Sequence, residues 1–117
     1  MQNQSTSLLI DNDTDDQEIF SMALGEIDST ISCLMADDGL SAIEKLTTSP
    51  GCIPSYIFID MNMPLMDGKQ CLQEIRKIPA YADVPIYIYS TAANPTLVAE
   101  AKTLGATDFI MKPTGFR

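Results

Sequence analysis

Short apolar runs alternate along the chain with longer stretches of helical periodicity. The runs predict strands at residues 8–10, 31–35, 56–59, 86–89 and 109–111. Strands that are separated by helices favour a parallel sheet with helices on both faces, because a parallel neighbour is reached through a crossover connection. The pattern therefore predicts one α/β domain with five strands and four helices.

The predicted helices have recognisable ends. Thr14 and Gln17 have the spacing of a capping box and start the first helix. The fourth helix takes Asn94 as its cap and Pro95 as its first residue, and Gly105 ends it. The positions expected to face inward are Phe20, Ala23, Leu24 and Ile27 on the first helix; Leu40, Ile43 and Leu46 on the second, at about residues 40–46; Cys71, Leu72, Ile75 and Ile78 on the third; and Leu97, Val98, Ala101 and Leu104 on the fourth.

Acidic residues follow two of the predicted strands directly. Asp60 ends the run at 56–59, and Asp11 and Asn12 close the run at 8–10. Open α/β sheets bind their ligands at the carboxyl ends of the strands, so these side chains predict a divalent cation site. The acids around the start of the first helix are predicted to be solvated helix-start residues: Asp13, Asp15 and Asp16.

Charge and composition narrow the range of partners. Sixteen acidic against seven basic residues give a net charge of -9, which argues against nucleic acid or an anionic membrane as the main partner. No apolar run approaches the length of a membrane span, and the first residues do not resemble a signal peptide, so we expect a cytoplasmic protein. Cys33, Cys52 and Cys71 have no metal-ligand spacing and no histidine to accompany them, and are predicted to be free thiols.

Four segments in order along the chain resemble the receiver domain of two-component response regulators. They are residues 8–11, residues 59–64 with Asp67 and Gly68, residues 85–91, and residues 105–113. The resemblance implies a flavodoxin-like, doubly wound sheet in the strand order 2-1-3-4-5. It also implies that a sensor histidine kinase, or a histidine phosphotransfer protein, hands a phosphoryl group to Asp60.

Phosphoryl transfer to a carboxylate depends mostly on positioning and charge neutralisation. Asp60 is assigned as the nucleophile, and Mg²⁺ as the cofactor, held by Asp11, Asp60 and the backbone carbonyl of Asn62. Lys112 supplies a flexible positive charge that pairs with Asp60 and then with the phosphoryl group. The Ser90 hydroxyl is expected to bond a phosphoryl oxygen and draw its loop inward.

Several positions leave alternatives open. Thr91 is the fallback for Ser90 as the hydroxyl residue, and Phe109 is either a switch aromatic or an ordinary core residue. Asn12 stands where most family members carry a second metal-contacting acid, so it is a candidate ligand that adds no charge. A pseudo-receiver that binds partners without phosphorylation is therefore an alternative. An aspartate-nucleophile phosphatase of the haloacid dehalogenase type is a weaker alternative, because that family has a second aspartate where this chain has Asn62. Flavin binding is weaker still, since acids after the first strand would repel a phosphate.

The resemblance also sets expectations for the end of the chain. Receivers hold the peptide bond equivalent to Lys112–Pro113 in the cis form and continue into a fifth helix, whereas this sequence stops at Arg117. We therefore expect residues 1–117 to be a single receiver domain that is truncated before its last helix. Apolar side chains of the fourth and fifth strands would then face water, or a second copy would cover them in a homodimer. The expected output is contact with a downstream protein.

Overall fold

Five strands form one parallel sheet in the computed structural model, which describes residues 6–27, 30–48, 53–61, 63, 66–90 and 95–111. The strands are β1 (Thr6–Ile10), β2 (Ser32–Ala36), β3 (Tyr56–Asp60), β4 (Ile86–Ser90) and β5 (Asp108–Met111). The helices are α1 (Thr14–Ile27), α2 (Gly39–Thr48), α3 (Gly68–Arg76) and α4 (Pro95–Thr103), and a short 3₁₀ turn spans Pro79–Tyr81. Every predicted strand is present, with its bounds shifted or extended by one or two residues.

The strand order is β2-β1-β3-β4-β5, as the resemblance implied. The chain therefore passes from β1 to β2 on one side of it, and then crosses back to β3 on the other side of β1. In an open parallel sheet this reversal leaves a crevice at the carboxyl ends of β1 and β3, where ligands bind. None of the described helices is long and apolar enough to cross a membrane.

The two faces of the sheet are covered differently. Alternate strand residues, including Leu8, Ile57 and Ile88, form the main buried cluster with side chains of α2, α3 and α4. The opposite face carries aromatic side chains under α1, where the Phe20 and Phe58 rings lie 4.9 Å apart. An apolar cleft of about 260 Å³ remains on this second face, lined by these two rings and by Ile110 among others.

The expectation that apolar residues of β4 and β5 face water is correct only in part. On β4, Ile86 and Ile88 are fully buried and Tyr89 is 8% exposed, whereas Tyr87 is half-buried. On β5, Ile110 is 37% exposed and Met111 is 56% exposed. Helices α2, α3 and α4 cover Ile86 and Ile88, whereas β5 lies at the edge of the sheet.

The predicted start of α1 is wrong in its capping residue. The side chain of Asp13, not Thr14, accepts hydrogen bonds from the backbone N–H groups of Asp15 and Asp16, at 2.9 and 3.2 Å. Thr14 is the first helical residue, and Gln17 donates its side-chain amide elsewhere, to the Asp11 carbonyl. An aspartate is at least as good a cap as a threonine, so the cap moves one residue toward the strand.

Two of the inward positions are also wrong. Ile27 is 81% exposed because it lies at the far end of α1, and Leu40 is 54% exposed because α2 turns Gly39, Ala42 and Leu46 inward instead. Ile78 lies beyond the end of α3, although it still packs on the core. Asn94, the predicted cap of α4, lies outside the described residues, whereas Pro95 is the first helical residue as predicted.

Arg76, the last residue of α3, joins two connections, the one from α3 to β4 and the one from α4 to β5. Its guanidinium donates to the carbonyls of Tyr81, Ala82 and Val84 at 2.8–3.0 Å, and to that of Gly105 at 2.8 and 3.0 Å. Burial lowers the pKa of Arg76, and the nearby Asp83 carboxylate opposes this effect. Gly105, which has a φ of +114°, follows α4, and the Arg76 side chain would be only 3.2 Å from a Cβ atom there.

Candidate functional site: an acidic pocket at the carboxyl edge of the sheet

Two buried carboxylates lie side by side where the strand order reverses. Ile10 on β1 pairs with Ile59 on β3, so Asp11 and Asp60 occupy the next equivalent positions on neighbouring strands. Neighbouring strands lie about 4.8 Å apart, which brings these two residues together as predicted. Asp11 is 0% exposed and Asp60 is 6% exposed. Two acids this deeply buried are expected to be paired or to hold a cation.

The loop after β1 holds Asp11 in place. Its carboxylate accepts a hydrogen bond of 2.9 Å from the backbone N–H of Asp13. Its own N–H donates to the Ala36 carbonyl at 3.0 Å, which extends the pairing of β1 with β2 by one residue. Gln17 completes the arrangement, because its side-chain amide donates to the Asp11 carbonyl and to the Asp37 carboxylate. This role of Gln17 was not predicted from the sequence.

Gly68 lies against the backbone of the second acid. A Cβ atom at this position would be 2.7 Å from the carbonyl oxygen of Asp60 and 2.8 Å from the Cα of Met61. The Gly68 N–H donates to the Met61 carbonyl at 3.0 Å. Only a glycine allows this approach, so the start of α3 is packed directly on the strand end that carries Asp60.

Asp67 fixes the start of α3 next to this contact. Its carboxylate accepts a hydrogen bond of 2.9 Å from the Gln70 N–H, and the Gln70 side chain accepts one of 3.1 Å from the Asp67 N–H. This reciprocal pair is a complete capping box. Aspartate and glutamine three residues apart are a sequence signal for it, so this feature was open to prediction.

Ser90 brings a hydroxyl to the same edge from the other side of Asp60. Asp60 pairs with Tyr89 on β4, and Ser90, the last residue of β4, follows at once. Ser90 is 1% exposed. Strand register therefore places the residues in the order Asp11, Asp60 and Ser90 across three adjacent strands.

Other predicted site residues lie outside the described part of the chain. These are Asn62, Thr91 and Lys112, together with the Lys112–Pro113 peptide bond. Phe109 is described: it is half-buried on β5 and packs on the main core cluster.

The pocket offers hard oxygen ligands from two buried carboxylates, and residue 12 adds no third charge. Asn12 is exposed, and no group of three His, Cys, Asp or Glu residues suited to a metal is found among the described residues. Mg²⁺ keeps several waters and is commonly held by one or two carboxylates, so Asp11 and Asp60 fit it without a third acid. The acids at the start of α1 take another role, since Asp13 caps the helix and Asp15 and Asp16 lie in its first turn.

The described cysteines are free thiols, as predicted, and Cys52 lies outside the described residues. Burial, and then the carboxylates of Asp38, Asp67 and Glu74, raise the pKa of Cys71 to about 12. Burial also raises the pKa of Cys33. Since a thiol is reactive as the thiolate, both shifts make these residues less nucleophilic.

The fold and the pocket together define a class: small α/β domains with a buried acidic pocket and a hydroxyl at the carboxyl edge of a five-stranded parallel sheet. Within this class the chain belongs to the response regulator receiver domain family, whose model matches residues 8–117. The family serves phosphorylation-based two-component signalling.

Individual relatives agree with this assignment. A protein-glutamate methylesterase/protein-glutamine glutaminase of Trichodesmium erythraeum is 32% identical over 108 residues, which cover 91% of this chain and 29% of the relative. The chemotaxis protein CheY of Bacillus subtilis is 37% identical over 78 residues, which cover 67% of this chain and 61% of the relative. The solved structure of Vibrio cholerae CheY4 matches with a TM-score of 0.85 at 26% identity, covering 95% of this chain and 88% of that one.

The chain spans less than two thirds of the length of these curated relatives. The match therefore identifies the receiver domain, and it says nothing of the activities that longer relatives carry in their other parts.

Proposed function

We propose that this chain is the phosphoacceptor of a two-component system or phosphorelay, and that a sensor histidine kinase or a histidine phosphotransfer protein transfers a phosphoryl group to Asp60. The observation that carries the proposal is the pair of buried carboxylates, Asp11 and Asp60, on adjacent strands at the point where the strand order reverses. The family match over residues 8–117 supports a single receiver domain. A cytoplasmic location and a downstream protein target belong to the same proposal.

Each residue has a defined part in the transfer. A carboxylate oxygen of Asp60 attacks the phosphorus, and the bond from phosphorus to the donor breaks as the new bond forms. Asp11, Asp60 and the backbone carbonyl of Asn62 are the proposed Mg²⁺ ligands, and the cation, when bound, neutralises charge on the phosphoryl oxygens. Lys112, which follows β5 directly in the sequence, supplies the second positive charge.

The switch follows from where Ser90 lies. Ser90 follows the β4 partner of Asp60 directly, so a phosphoryl group on Asp60 would add an acceptor at the strand end that carries this hydroxyl. Moving Ser90 toward that acceptor displaces the segment that leads into α4, and the output is a shift between two populations. Thr91 is the alternative hydroxyl, and Phe109 is the proposed aromatic partner of this movement.

Intact mass spectrometry tests the proposal. The protein is incubated with acetyl phosphate and Mg²⁺, and wild type is expected to gain one phosphoryl mass that chelation of the cation prevents. Asp60→Asn is expected to gain none, and Asp13→Asn, which alters a neighbouring exposed helix cap, is the matched control that should still be labelled. Equal labelling of Asp60→Asn would refute the assignment of the acceptor.

A pseudo-receiver is the second candidate, and one observation favours it. Asn12 provides no charge at the position where most receivers have a second acid, and it is exposed. The same assay separates the two candidates: labelling of wild type supports a phosphoacceptor. Failure of labelling, with a cognate kinase as well, supports a module that binds its partners without phosphorylation.

A further inference from the structure

An open cleft separates α3 from α4 on the surface near the pocket. It has a volume of about 800 Å³, and residues of both helices line it, among them Gln70, Gln73, Thr96, Ala99 and Thr103. One ion pair crosses it, with Lys69 Nζ 3.1 Å from Glu100 Oε1. Of the ion pairs between described residues, this is the one that joins two helices.

The two helices are anchored to very different extents. Cys71, Leu72 and Ile75 of α3 are fully buried, and its first turn carries a capping box. On α4 only Ala101 is buried among the described side chains, while Leu97 is half-buried against the main core cluster. Its one other ion pair among described residues is between Lys102 and Asp108 of β5, at 3.6 Å. The Lys69–Glu100 pair therefore connects a helix with several buried side chains to one with fewer.

Helix α4 is also the one that follows the proposed switch residue in the chain. Ser90 ends β4 and Pro95 begins α4, so four residues separate them. A displacement of the strand end reaches α4 through this short connection. Whatever holds α4 in place therefore opposes that displacement.

We propose that the Lys69–Glu100 pair is a clasp that holds α4 toward α3 and so opposes the switch. The regulatory part of this proposal, that the pair opposes the switch, rests on the proposed function. The mechanical part, that the pair holds α4, does not depend on it. The two side chains are 31% and 51% exposed, and an exposed pair of this kind shifts an equilibrium by about 1.4-fold to 5-fold. The clasp is therefore a weak bias that a modification of Asp60 can overcome.

Hydrogen exchange with charge-reversal variants tests the mechanical part. Lys69→Glu and Glu100→Lys each place like charges across the cleft, and each should speed amide exchange in α4 by about 1.4-fold to 5-fold. The double variant restores an ion pair with reversed polarity and should return exchange toward the wild-type rate. Lys77→Glu and Glu74→Lys are the matched controls, since they break a pair of 3.0 Å at the end of α3 with the same changes of charge.

Phosphoryl acceptance from acetyl phosphate tests the regulatory part on the same proteins. The two single variants should accept faster than wild type and the double variant should not. The clasp would be overturned if amide exchange in α4 were unchanged in the single variants, or if the double variant did not return it toward the wild-type rate. Faster exchange in the single variants without any change in phosphoryl acceptance would also overturn it. Absence of acceptance in every protein, wild type included, would overturn the proposed function instead, and the exchange rates would still decide whether the pair holds α4.

Discussion

Adding one methyl group at Gly68 should damage the pocket without touching any reacting atom. The new Cβ of Gly68→Ala would lie 2.7 Å from the Asp60 carbonyl oxygen, whereas ordinary contacts begin at 3.4 Å. The obstacle is backbone, which cannot rotate away as a side chain can. The helix start and the strand end must therefore separate by about 0.7 Å, which is the difference between these two distances.

The expected cost follows from the balance of two effects. Overpacking of a close contact costs about 1–3 kcal/mol. Replacing glycine by alanine also restricts the unfolded chain and recovers about 0.4–1 kcal/mol. We therefore expect Gly68→Ala to lower the free energy of unfolding by about 1–2 kcal/mol. Because the displaced atom belongs to Asp60, we also expect phosphoryl acceptance to fall by up to about 100-fold, the effect of a misplacement approaching 1 Å.

Gly25 provides the matched control. A Cβ atom there has no neighbour within 4 Å, and the residue lies within α1. Gly25→Ala should therefore raise the free energy of unfolding by about 0.5–1 kcal/mol and leave acceptance unchanged. Urea unfolding and labelling by acetyl phosphate, read by intact mass, check both variants. A Gly68→Ala protein as stable and as readily labelled as Gly25→Ala would refute the reasoning.

Three further predictions concern other parts of the molecule. Arg76→Lys replaces a planar group that donates hydrogen bonds to four carbonyls. It should therefore lower the free energy of unfolding by about 2–3 kcal/mol in a urea titration. A loss below about 0.5 kcal/mol would contradict the stabilising role of these hydrogen bonds. Asn12→Asp adds a carboxylate near the proposed cation and should tighten Mg²⁺ binding about tenfold, or about 1.4 kcal/mol, by calorimetric titration. An unchanged midpoint would mean that residue 12 does not face the cation. The Cys71 pKa is raised from 9.0 to about 12 in the folded state, so its contribution to stability is complete below pH 9 and is lost as pH rises toward 12. The stability of wild type relative to Cys71→Ala, measured in reducing buffer, should therefore fall above pH 9, and a pH-independent difference would contradict this.

Much of the fold could be predicted because its signals are local. Apolar runs locate the strands, and Pro95 and Gly105 mark the ends of α4 in the sequence itself. The order of the strands is not a local property, and it followed from the resemblance of four separate segments to one family. Asp11, Asp60 and Ser90 could be assigned to one edge because parallel strands deliver their carboxyl ends together.

The errors arise where two neighbours compete for one role. Asp13 and Thr14 are both acceptable helix caps, and only the path of the chain from β1 decides between them. Leu40 has the spacing of a buried residue, but α2 is rotated so that Gly39 and Ala42 face the core. Such rotations depend on the packing of elements distant in sequence.

Other features could not be predicted because they depend on contacts between distant segments. Gly68 meets the backbone of Asp60, and Arg76 meets the carbonyl of Gly105, 29 residues away. No sequence pattern around either residue predicts its partner. The same holds for the Lys69–Glu100 pair, whose members are 31 residues apart.

The central claim is that Asp60 itself carries the phosphoryl group. Its most direct test is reductive trapping: protein incubated with acetyl phosphate and Mg²⁺ is treated with borohydride, which converts an aspartyl phosphate to homoserine, and is then mapped by peptide mass spectrometry. We predict homoserine at position 60 in wild type, and none when Mg²⁺ is chelated. Homoserine at another aspartate, such as Asp11 or Asp13, with position 60 unchanged, would contradict the account.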